Sequence, residues 1–325
     1  MKKGITLLLC LIMIFSFSVQ ASAYNLNQTY RILQVTAEEF ISDLKGEGVS
    51  EELISSFLTA LNEKIGSTEA LTEENFDSMV AVSMAGLLQS GVYNNLYIAM
   101  ISLYSEDVQV MLTTRVVPPV FEPIYQTVKT CLLGTGELQI FTDVPNNHWA
   151  SKSIEVLTAD GIVNGLGNRL FAPDETVTRE QFVKMAVDCL GLQSTGENLP
   201  FADVEEGQWY VPYVAAAYEN KLVSGVEENL FGIGEPMLRQ DMAVIIHRIL
   251  TGEGKVPAKK TDTYSNFNDA DQIDAYAKEA VETLSNGGMI SGISQTEYAP
   301  YAYVTRAQAA RMIDQMRLAI NETEK

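Results

Sequence analysis

The sequence contains few cysteines and few histidines. Three cysteines and two histidines occur among 325 residues. A disulfide framework needs cysteines at suitable paired spacings, and a metal site needs cysteine or histidine ligands in clusters. Cys10, Cys131 and Cys189 lie far apart, and Cys131 and Cys189 fall within apolar helical patterns, so we interpret these two as buried thiols. We therefore predict that the chain has no metal site and no cofactor.

Basic residues are also scarce. The chain has 22 lysines and arginines against 42 aspartates and glutamates, which gives a formal net charge of −20 at pH 7. Such a surface repels the phosphates of nucleic acids and of anionic membranes. We therefore predict neither nucleic acid nor a membrane surface as a partner.

Only one long hydrophobic run is present, and it lies at the N-terminus. The run from Ile5 to Val19 follows Lys2 and Lys3 and precedes the small residues Ala21-Ser22-Ala23. A basic start, a short apolar stretch and a small-residue cleavage site are typical of a secretory signal peptide. We predict that residues 1–23 are a cleaved signal peptide and that the protein is secreted, with an uncleaved anchor as the alternative.

The pattern of residues 24–136 predicts a helical domain whose function is unknown. Thr36 to Glu39 resembles a capping box at the start of one helix. Both histidines, His148 and His247, lie outside this region, so it has none for general-base catalysis or metal binding. No pair of carboxylates is marked as converging across a cleft, as a glycosidase requires. We therefore predict that the chain is not an enzyme.

The second half of the sequence contains three copies of one pattern. In each copy an arginine is preceded by a glycine fourteen residues earlier and by an aromatic residue sixteen before that glycine. An aspartate lies six or seven residues before the aromatic. A period of this length is the signature of a repeat architecture. The positions are Asp143, Trp149, Gly165 and Arg179; Asp203, Trp209, Gly225 and Arg239; and Asp269, Tyr276, Gly292 and Arg306.

Each copy predicts two helices joined by an irregular loop. Apolar residues recur at helical spacing after the aromatic and again after the arginine, and Thr178 or Thr305 is placed to cap the second helix. One helix pair buries too little apolar surface to be stable alone, so we expect the three pairs to pack around a shared axis with grooves between them. The fold class is therefore predicted to be all-α. The predicted repeats are residues 141–192, 200–251 and 266–320.

These residues carry a resemblance to a known family. The aspartate, the tryptophan, the loop glycine and the segments Thr178-Arg179-Glu180-Gln181 and Thr305-Arg306-Ala307-Gln308 resemble the S-layer homology (SLH) repeat. The resemblance implies a pseudo-threefold helical spindle that binds secondary cell-wall polysaccharide, often with pyruvate-ketal sugars. It also implies a location at the cell wall or S-layer, and that the aspartates, aromatics, glycines and arginines of the pattern line the grooves between repeats.

The residue types suit an acidic sugar. An arginine offers a planar fork that matches a carboxylate, and an aromatic side chain offers a flat face for the C–H side of a sugar ring. Three alternatives stay open: the aromatics could be core residues, the aspartates could only cap turns, and the arginines could form internal ion pairs, for example to Asp143 or Glu180. A calcium loop at Asp269, Asp271 and Asp274 is rejected, because glycine and glutamate are missing at the required positions.

The three copies differ, and their differences affect the expected function. The second has Leu238 in place of the capping threonine, and the third has Tyr276 in place of tryptophan. We therefore predict one or two competent grooves rather than three. The alternatives to simple anchoring are a wall-anchored enzyme of unfamiliar type and a subunit of an S-layer lattice. Other surface proteins are a further candidate partner, through residues 24–136.

Overall fold

A computed structural model describes residues 24–68, 71–114, 116–134, 138–194 and 199–322. The predicted signal peptide, residues 1–23, lies outside these ranges. The chain divides into two compact units, of which the first extends to Thr142 and includes Gly167–Arg169, and the second contains the remainder. Their described residues form twelve α-helices and only isolated β-bridges, so the predicted all-α fold is confirmed.

The first unit is a bundle of six helices around an apolar core. Phe40, Phe57, Phe76 and Phe121 are at most 5% exposed and lie in this core. The fifth helix is interrupted at Tyr104, whose backbone angles are not helical. The helices are α1 (Leu26–Thr36), α2 (Glu38–Gly46), α3 (Glu51–Gly66), α4 (Phe76–Gln89), α5 (Asn94–Thr114) and α6 (Glu122–Leu133).

The predicted capping box at Thr36 is wrong. Thr36 is the last residue of α1, and its buried hydroxyl donates to the carbonyl oxygen of Ile32 and lies 2.7 Å from the hydroxyl of Thr127 on α6. The residue that caps α2 is Ala37, which makes no side-chain cap. A threonine hydroxyl can bond to a backbone carbonyl of its own helix as well as to a free N–H, and here the packing of α1 against α6 decides between the two.

The second unit consists of three helix pairs in sequence. The second helix of each pair begins at the repeat arginine. Thr178 and Thr305 form capping boxes there, as predicted, whereas Leu238 provides no side-chain cap. In the second repeat the left-handed position after the first helix is occupied by Lys221, the residue after Asn220. The helices are α7 (Ser151–Ala159), α8 (Arg179–Leu190), α9 (Val211–Glu219), α10 (Arg239–Gly252), α11 (Lys278–Asn286) and α12 (Arg306–Asn321).

The three pairs close into a ring. The second helix of each pair packs on the first helix of the next: α8 on α9, α10 on α11, and α12 on α7. At the centre three backbone N–H groups bond in a cycle, Val177 to the carbonyl of Val304, Val304 to that of Met237, and Met237 to that of Val177, at 2.8–2.9 Å. This cyclic order is the pseudo-threefold spindle that the resemblance implies, and it places the start of each second helix beside the next repeat.

Candidate functional site

Each repeat arginine reaches into the loop of the next repeat. In all three cases Nη2 donates to the backbone carbonyl of the residue directly before that repeat's glycine. The sequence alternative of an ion pair to Asp143 or Glu180 therefore does not describe the main contacts of these guanidinium groups. The distances are 2.9 Å from Arg179 to Ser224, 2.7 Å from Arg239 to Ser291, and 3.0 Å from Arg306 to Asn164.

An aromatic ring of the next repeat lies against each guanidinium group. Such a cation–π contact adds attraction and fixes the plane of the group. The three rings are buried, and each occurs eight residues before its own repeat's arginine. The distances from guanidinium carbon to ring centre are 5.1 Å for Arg179 and Phe231, 5.0 Å for Arg239 and Tyr298, and 4.6 Å for Arg306 and Phe171.

The three repeat aspartates hold these aromatic residues in place. Asp203 accepts hydrogen bonds from the backbone N–H groups of Phe231, Gly232 and Ile233 at 2.7–3.0 Å. Asp143 and Asp269 bond to the equivalent loop N–H groups at Phe171 and Ala172 and at Tyr298 and Ala299. Their contacts are therefore those of the turn-cap alternative, and any direct role in binding stays a prediction.

The repeat glycines lie where the loop folds back on itself. A Cβ at Gly225 would be 2.4 Å from the carbonyl oxygen of Leu230, and one at Gly292 would be 2.2 Å from that of Glu297. Real Cβ atoms do not approach a backbone oxygen so closely, so only glycine fits. The loop after Gly165 closes in the same way, with the N–H of Leu166 donating to the carbonyl of Leu170 at 2.8 Å.

The aromatic residues that open the repeats face solvent. Trp149 is 59% exposed, Trp209 49% and Tyr276 58%. The alternative that they are core residues is therefore wrong. An exposed flat ring offers an apolar face on which a sugar ring can pack.

Three of the predicted residues, one from each repeat, line a single cavity of about 410 Å³: Arg179, Gly225 and Tyr276. A volume of this size suits a small ligand such as one or two sugar rings. Sequence reasoning did not identify the other lining residues as site residues, and four of these matter for the chemistry of the cavity. Val226 had a visible signal, because an apolar residue follows the glycine in every copy, whereas the other three had none in the repeat pattern. These four are Val226, Glu235, Asp241 and Arg248.

Arg179 differs from the other two arginines in one hydrogen bond. The Nε groups of Arg239 and Arg306 donate to the carbonyls of Tyr298 and Phe171 at 3.0 and 2.7 Å. The Nε of Arg179 is buried and has no hydrogen-bond partner. Buried polar groups in proteins are nearly always bonded, so the missing bond distinguishes Arg179 from the other two repeat arginines.

Burial lowers the pKa of the Arg179 guanidinium, and the nearby carboxylates of Asp241 and Glu235 oppose that change. The Oδ2 atom of Asp241 lies 3.9 Å from Nη1 of Arg179, too far for a hydrogen bond. An arginine keeps its charge at any physiological pH. The cavity therefore contains a cation that is largely removed from water and only partly compensated.

Tyr276 is held in the cavity wall by polar contacts with α10. Its hydroxyl donates to Oδ1 of Asp241 at 2.6 Å and accepts from Nε2 of Gln240 at 3.1 Å. Burial raises the pKa of Tyr276, and the hydrogen bond to Asp241 raises it further. The phenol is therefore neutral at physiological pH, and its ring is fixed by the second repeat although it belongs to the third.

The family model described as "S-layer homology domain" matches residues 140–183, 200–243 and 266–310. The C-terminal half of the chain carries three S-layer homology repeats. Each matched segment includes the aspartate, the aromatic, the glycine and the arginine described above. The inter-repeat contacts of the arginines are thus contacts between successive SLH repeats.

Several curated proteins are similar over these SLH repeats. An exoglucanase, XynX, of Acetivibrio thermocellus is 32% identical over 53% of this chain and 16% of its own length. An S-layer protein of Bacillus thuringiensis subsp. finitimus is 30% identical over 53% of this chain and 21% of its own length. The S-layer protein sap of Bacillus anthracis is 28% identical over 65% of this chain and 24% of its own length.

The alignments cover less than a quarter of the length of these relatives, and the enzymes among them match only the SLH region. The shared repeats and the surface-layer relatives indicate a cell-surface or cell-wall location. In the parts of the chain that the structure describes, no helix has the length and hydrophobicity of a membrane span. Within the same ranges, no group of three or more histidine, cysteine, aspartate or glutamate side chains is placed to hold a metal ion.

Proposed function

We propose that the protein anchors itself non-covalently to the cell wall by binding acidic, pyruvylated secondary cell-wall polysaccharide in the grooves between its SLH repeats. The observation that carries this proposal is the cavity beside Arg179, where Nη1 of a largely buried guanidinium has only a distant counter-ion. A carboxylate entering the cavity would satisfy Nη1 with a charge-assisted bond.

The cavity also suits the neutral part of such a sugar. The exposed ring of Tyr276 and the side chain of Val226 supply apolar surface for the C–H groups of the sugar. The carbonyls and carboxylates that line the cavity accept hydrogen bonds from its hydroxyls. The distant acidic surface of the protein interferes little, because charges more than about 8 Å apart are screened at physiological ionic strength. Local contacts therefore decide binding in the groove.

The three grooves are proposed to contribute unequally. Arg239 and Arg306 are each fixed by Nε and Nη2 bonds to backbone carbonyls, whereas Arg179 is held by its Nη2 bond alone and lines the cavity. The Arg179 groove is the primary site, and the ring order predicts that Trp149 and Trp209 stand beside the other two arginines. Weak secondary contacts along one polymer chain would still add avidity.

The first unit is proposed to have a non-enzymatic role, as a spacer or as a contact surface for other surface proteins. Its segment 24–136 contains no histidine, and the enzyme relatives do not extend into it. The surface-layer relatives favour one second candidate, in which this unit assembles into a lattice on the wall. Ordered arrays of the purified protein on isolated walls would support that candidate, and dispersed binding would count against it.

The test of anchoring uses the chain from residue 24 onward and three kinds of purified wall. Sedimentation with native walls, no sedimentation with walls stripped of polysaccharide, and reduced sedimentation with walls whose pyruvate ketals have been hydrolysed are expected. Equal binding to native and stripped walls would overturn the proposal. Equal binding to native and ketal-hydrolysed walls would leave anchoring intact and remove the pyruvate group from it.

The assignment of the primary groove is tested by single substitutions. Arg179→Ala should reduce affinity for soluble polysaccharide about 30- to 100-fold, since a charged hydrogen bond is worth about 1.5–3 kcal/mol. Arg306→Ala removes an arginine whose Nε and Nη2 both bond to backbone carbonyls, and it should reduce the affinity less than fivefold. Equal losses from the two variants, each checked for folding by circular dichroism, would contradict the assignment.

A further inference from the structure

We infer that Asp241 is a built-in anionic competitor that weakens the grip of the Arg179 groove on acidic ligands. The inference rests on the proposed function of that groove and concerns which ligands it selects. Asp241 lines the cavity, and its Oδ2 atom lies 3.9 Å from Nη1 of Arg179. It therefore occupies part of the space that a ligand carboxylate would approach.

The sequence of the second repeat explains why this carboxylate faces the cavity. In the first and third repeats the equivalent residues are Gln181 and Gln308, whose side-chain oxygens accept from the backbone N–H of the capping threonine. In the second repeat the cap is Leu238, and the side chain of Asp241 is shorter than a glutamine by one methylene group. Asp241 makes no capping box and instead bonds to the hydroxyl of Tyr276.

Asp241 is not needed to orient Arg179. The guanidinium is already held by the carbonyl of Ser224 at 2.9 Å and by the ring of Phe231. The carboxylate, at 3.9 Å, forms no hydrogen bond to it. The charge of Asp241 therefore mainly repels an incoming anion, and a second carboxylate in the wall, Glu235, adds to that repulsion.

The effect on specificity follows from charge. Arg179 and Arg248 attract an acidic group, while Asp241 and Glu235 oppose it, so the cavity is close to balanced overall. A groove of this kind holds an acidic sugar only when its hydroxyl and C–H contacts are also made. Asp241 thus makes the groove prefer a glycan of matching shape to a simple anion. It also keeps binding to a single acidic sugar weak and reversible.

The test is the isosteric change Asp241→Asn, which removes the charge and keeps an oxygen to accept from Tyr276. Binding to soluble acidic wall polysaccharide should become about three- to tenfold tighter at low ionic strength, the size expected for one partly exposed charge at close range. The gain should shrink at high salt and should be absent for the same polymer with its ketals hydrolysed. Asp271→Asn, an exposed aspartate that does not line the cavity, is the matched control and should change nothing.

Each outcome decides between the two proposals. If wild-type protein binds and Asp241→Asn binds equally or more weakly, Asp241 is not a competitor, although the groove remains the binding site. If the variant gains as much on the ketal-hydrolysed polymer, the gain does not come from relieved repulsion and the inference fails. If wild-type protein binds neither polymer, the proposed function itself fails and the inference with it.

Discussion

The Arg179 and Arg239 grooves are built from the same repeat pattern but differ in what their arginines have left to offer. Arg239 donates from Nε and Nη2 to two backbone carbonyls of the third repeat. Arg179 makes only the second of these bonds and faces a cavity that Tyr276 and Asp241 also line. One motif can therefore serve two purposes. We propose that an arginine with more internal bonds contributes more to folding and less to ligand binding.

The two grooves should respond differently to a methyl group added at their glycines. Gly225→Ala and Gly292→Ala should each destabilise the SLH unit by about 3 kcal/mol, because the new Cβ overlaps a backbone oxygen. Urea denaturation followed by circular dichroism measures this. Below the unfolding transition, Gly225→Ala should also lose polysaccharide affinity, whereas Gly292→Ala should keep most of it.

The matched control for these variants is Gly252→Ala. A Cβ at Gly252, the last residue of α10, would meet no atom within 4 Å. Alanine is the better helix former, so this variant should be neutral or slightly more stable. Equal destabilisation at all three glycines would mean that the close approach inside the loops is not the cause.

The second test compares the stability and the polysaccharide affinity of two arginine variants. Arg239→Ala should destabilise the SLH unit by about 2–3 kcal/mol, because two backbone carbonyls lose a charged donor and the ring of Tyr298 loses its cation. Arg179→Ala should cost about half as much, since it removes one such bond and a buried donor that has no partner. Chemical denaturation gives the order for stability, which should be the reverse of the order for polysaccharide affinity.

Lys278→Ala, which removes an exposed cation, is the control for the two arginine variants. It should change neither the stability of the SLH unit nor its polysaccharide affinity. If Arg179→Ala proved as destabilising as Arg239→Ala, the missing Nε bond would not distinguish the two grooves.

A third test uses acid to release the loop that receives Arg179. Burial raises the pKa of Asp203, but backbone hydrogen bonds from Phe231, Ile233 and Gly232 outweigh it and lower the pKa from its ordinary value of 3.8. A lowered folded pKa means that the carboxylate stabilises the fold above pH 4, and that this contribution is lost as the pH falls through the folded value. The melting temperature of the wild-type protein should therefore fall steeply as the pH is lowered from about 4 to about 2.

Asp203→Asn should remove part of this dependence. The variant should be about 2 kcal/mol less stable at pH 7, because an amide replaces a carboxylate that accepts three N–H bonds. The difference between variant and wild type should narrow as the pH is lowered to 2. A constant difference across that range would rule out the ionised form of Asp203 as the source.

The smallest expected effect comes from repairing the weak helix cap. Leu238→Thr supplies the hydroxyl that Thr178 and Thr305 provide in the other repeats, and it should stabilise the SLH unit by about 0.5–1 kcal/mol. The reverse change, Thr178→Leu, should destabilise it by a similar amount. Thermal melts of the two variants test this, and shifts in the same direction would show that packing at this position outweighs capping.

The parts of the fold that could be predicted from the sequence are local. A threonine one residue before an apolar periodic segment caps a helix through its own side chain, so the starts of α8 and α12 at Arg179 and Arg306 were predicted correctly. Packing of the three pairs around a shared axis was expected because one pair buries too little apolar surface, and the resemblance implied the spindle. The order of the helices in the ring was not predicted, because a single helix pair contains no information about which pair it contacts. The wrong capping box at Thr36 arose where contact with Thr127, far away in sequence, decided the outcome.

The candidate site was predictable only in part, for a related reason. The repeat pattern identified Arg179, Gly225 and Tyr276 as functional candidates, but not that they line one cavity from three different repeats. Asp241 was not predicted as a site residue. It lines the cavity because it forms no capping box, and the repeat pattern does not indicate that absence. The sequence left open whether the aspartates bind a ligand or cap turns, and their hydrogen bonds to loop N–H groups are those of turn caps.

The closed cycle of backbone bonds among Val177, Met237 and Val304 also bears on how the protein becomes functional. A chain of which only two repeats have emerged during synthesis or export leaves Val177 without its acceptor and Asn164 without the arginine that reaches it from the third repeat. Attachment to a surface must then await arrival of the final helix pair. Closure of the SLH unit therefore depends on the last segment of the chain to be delivered.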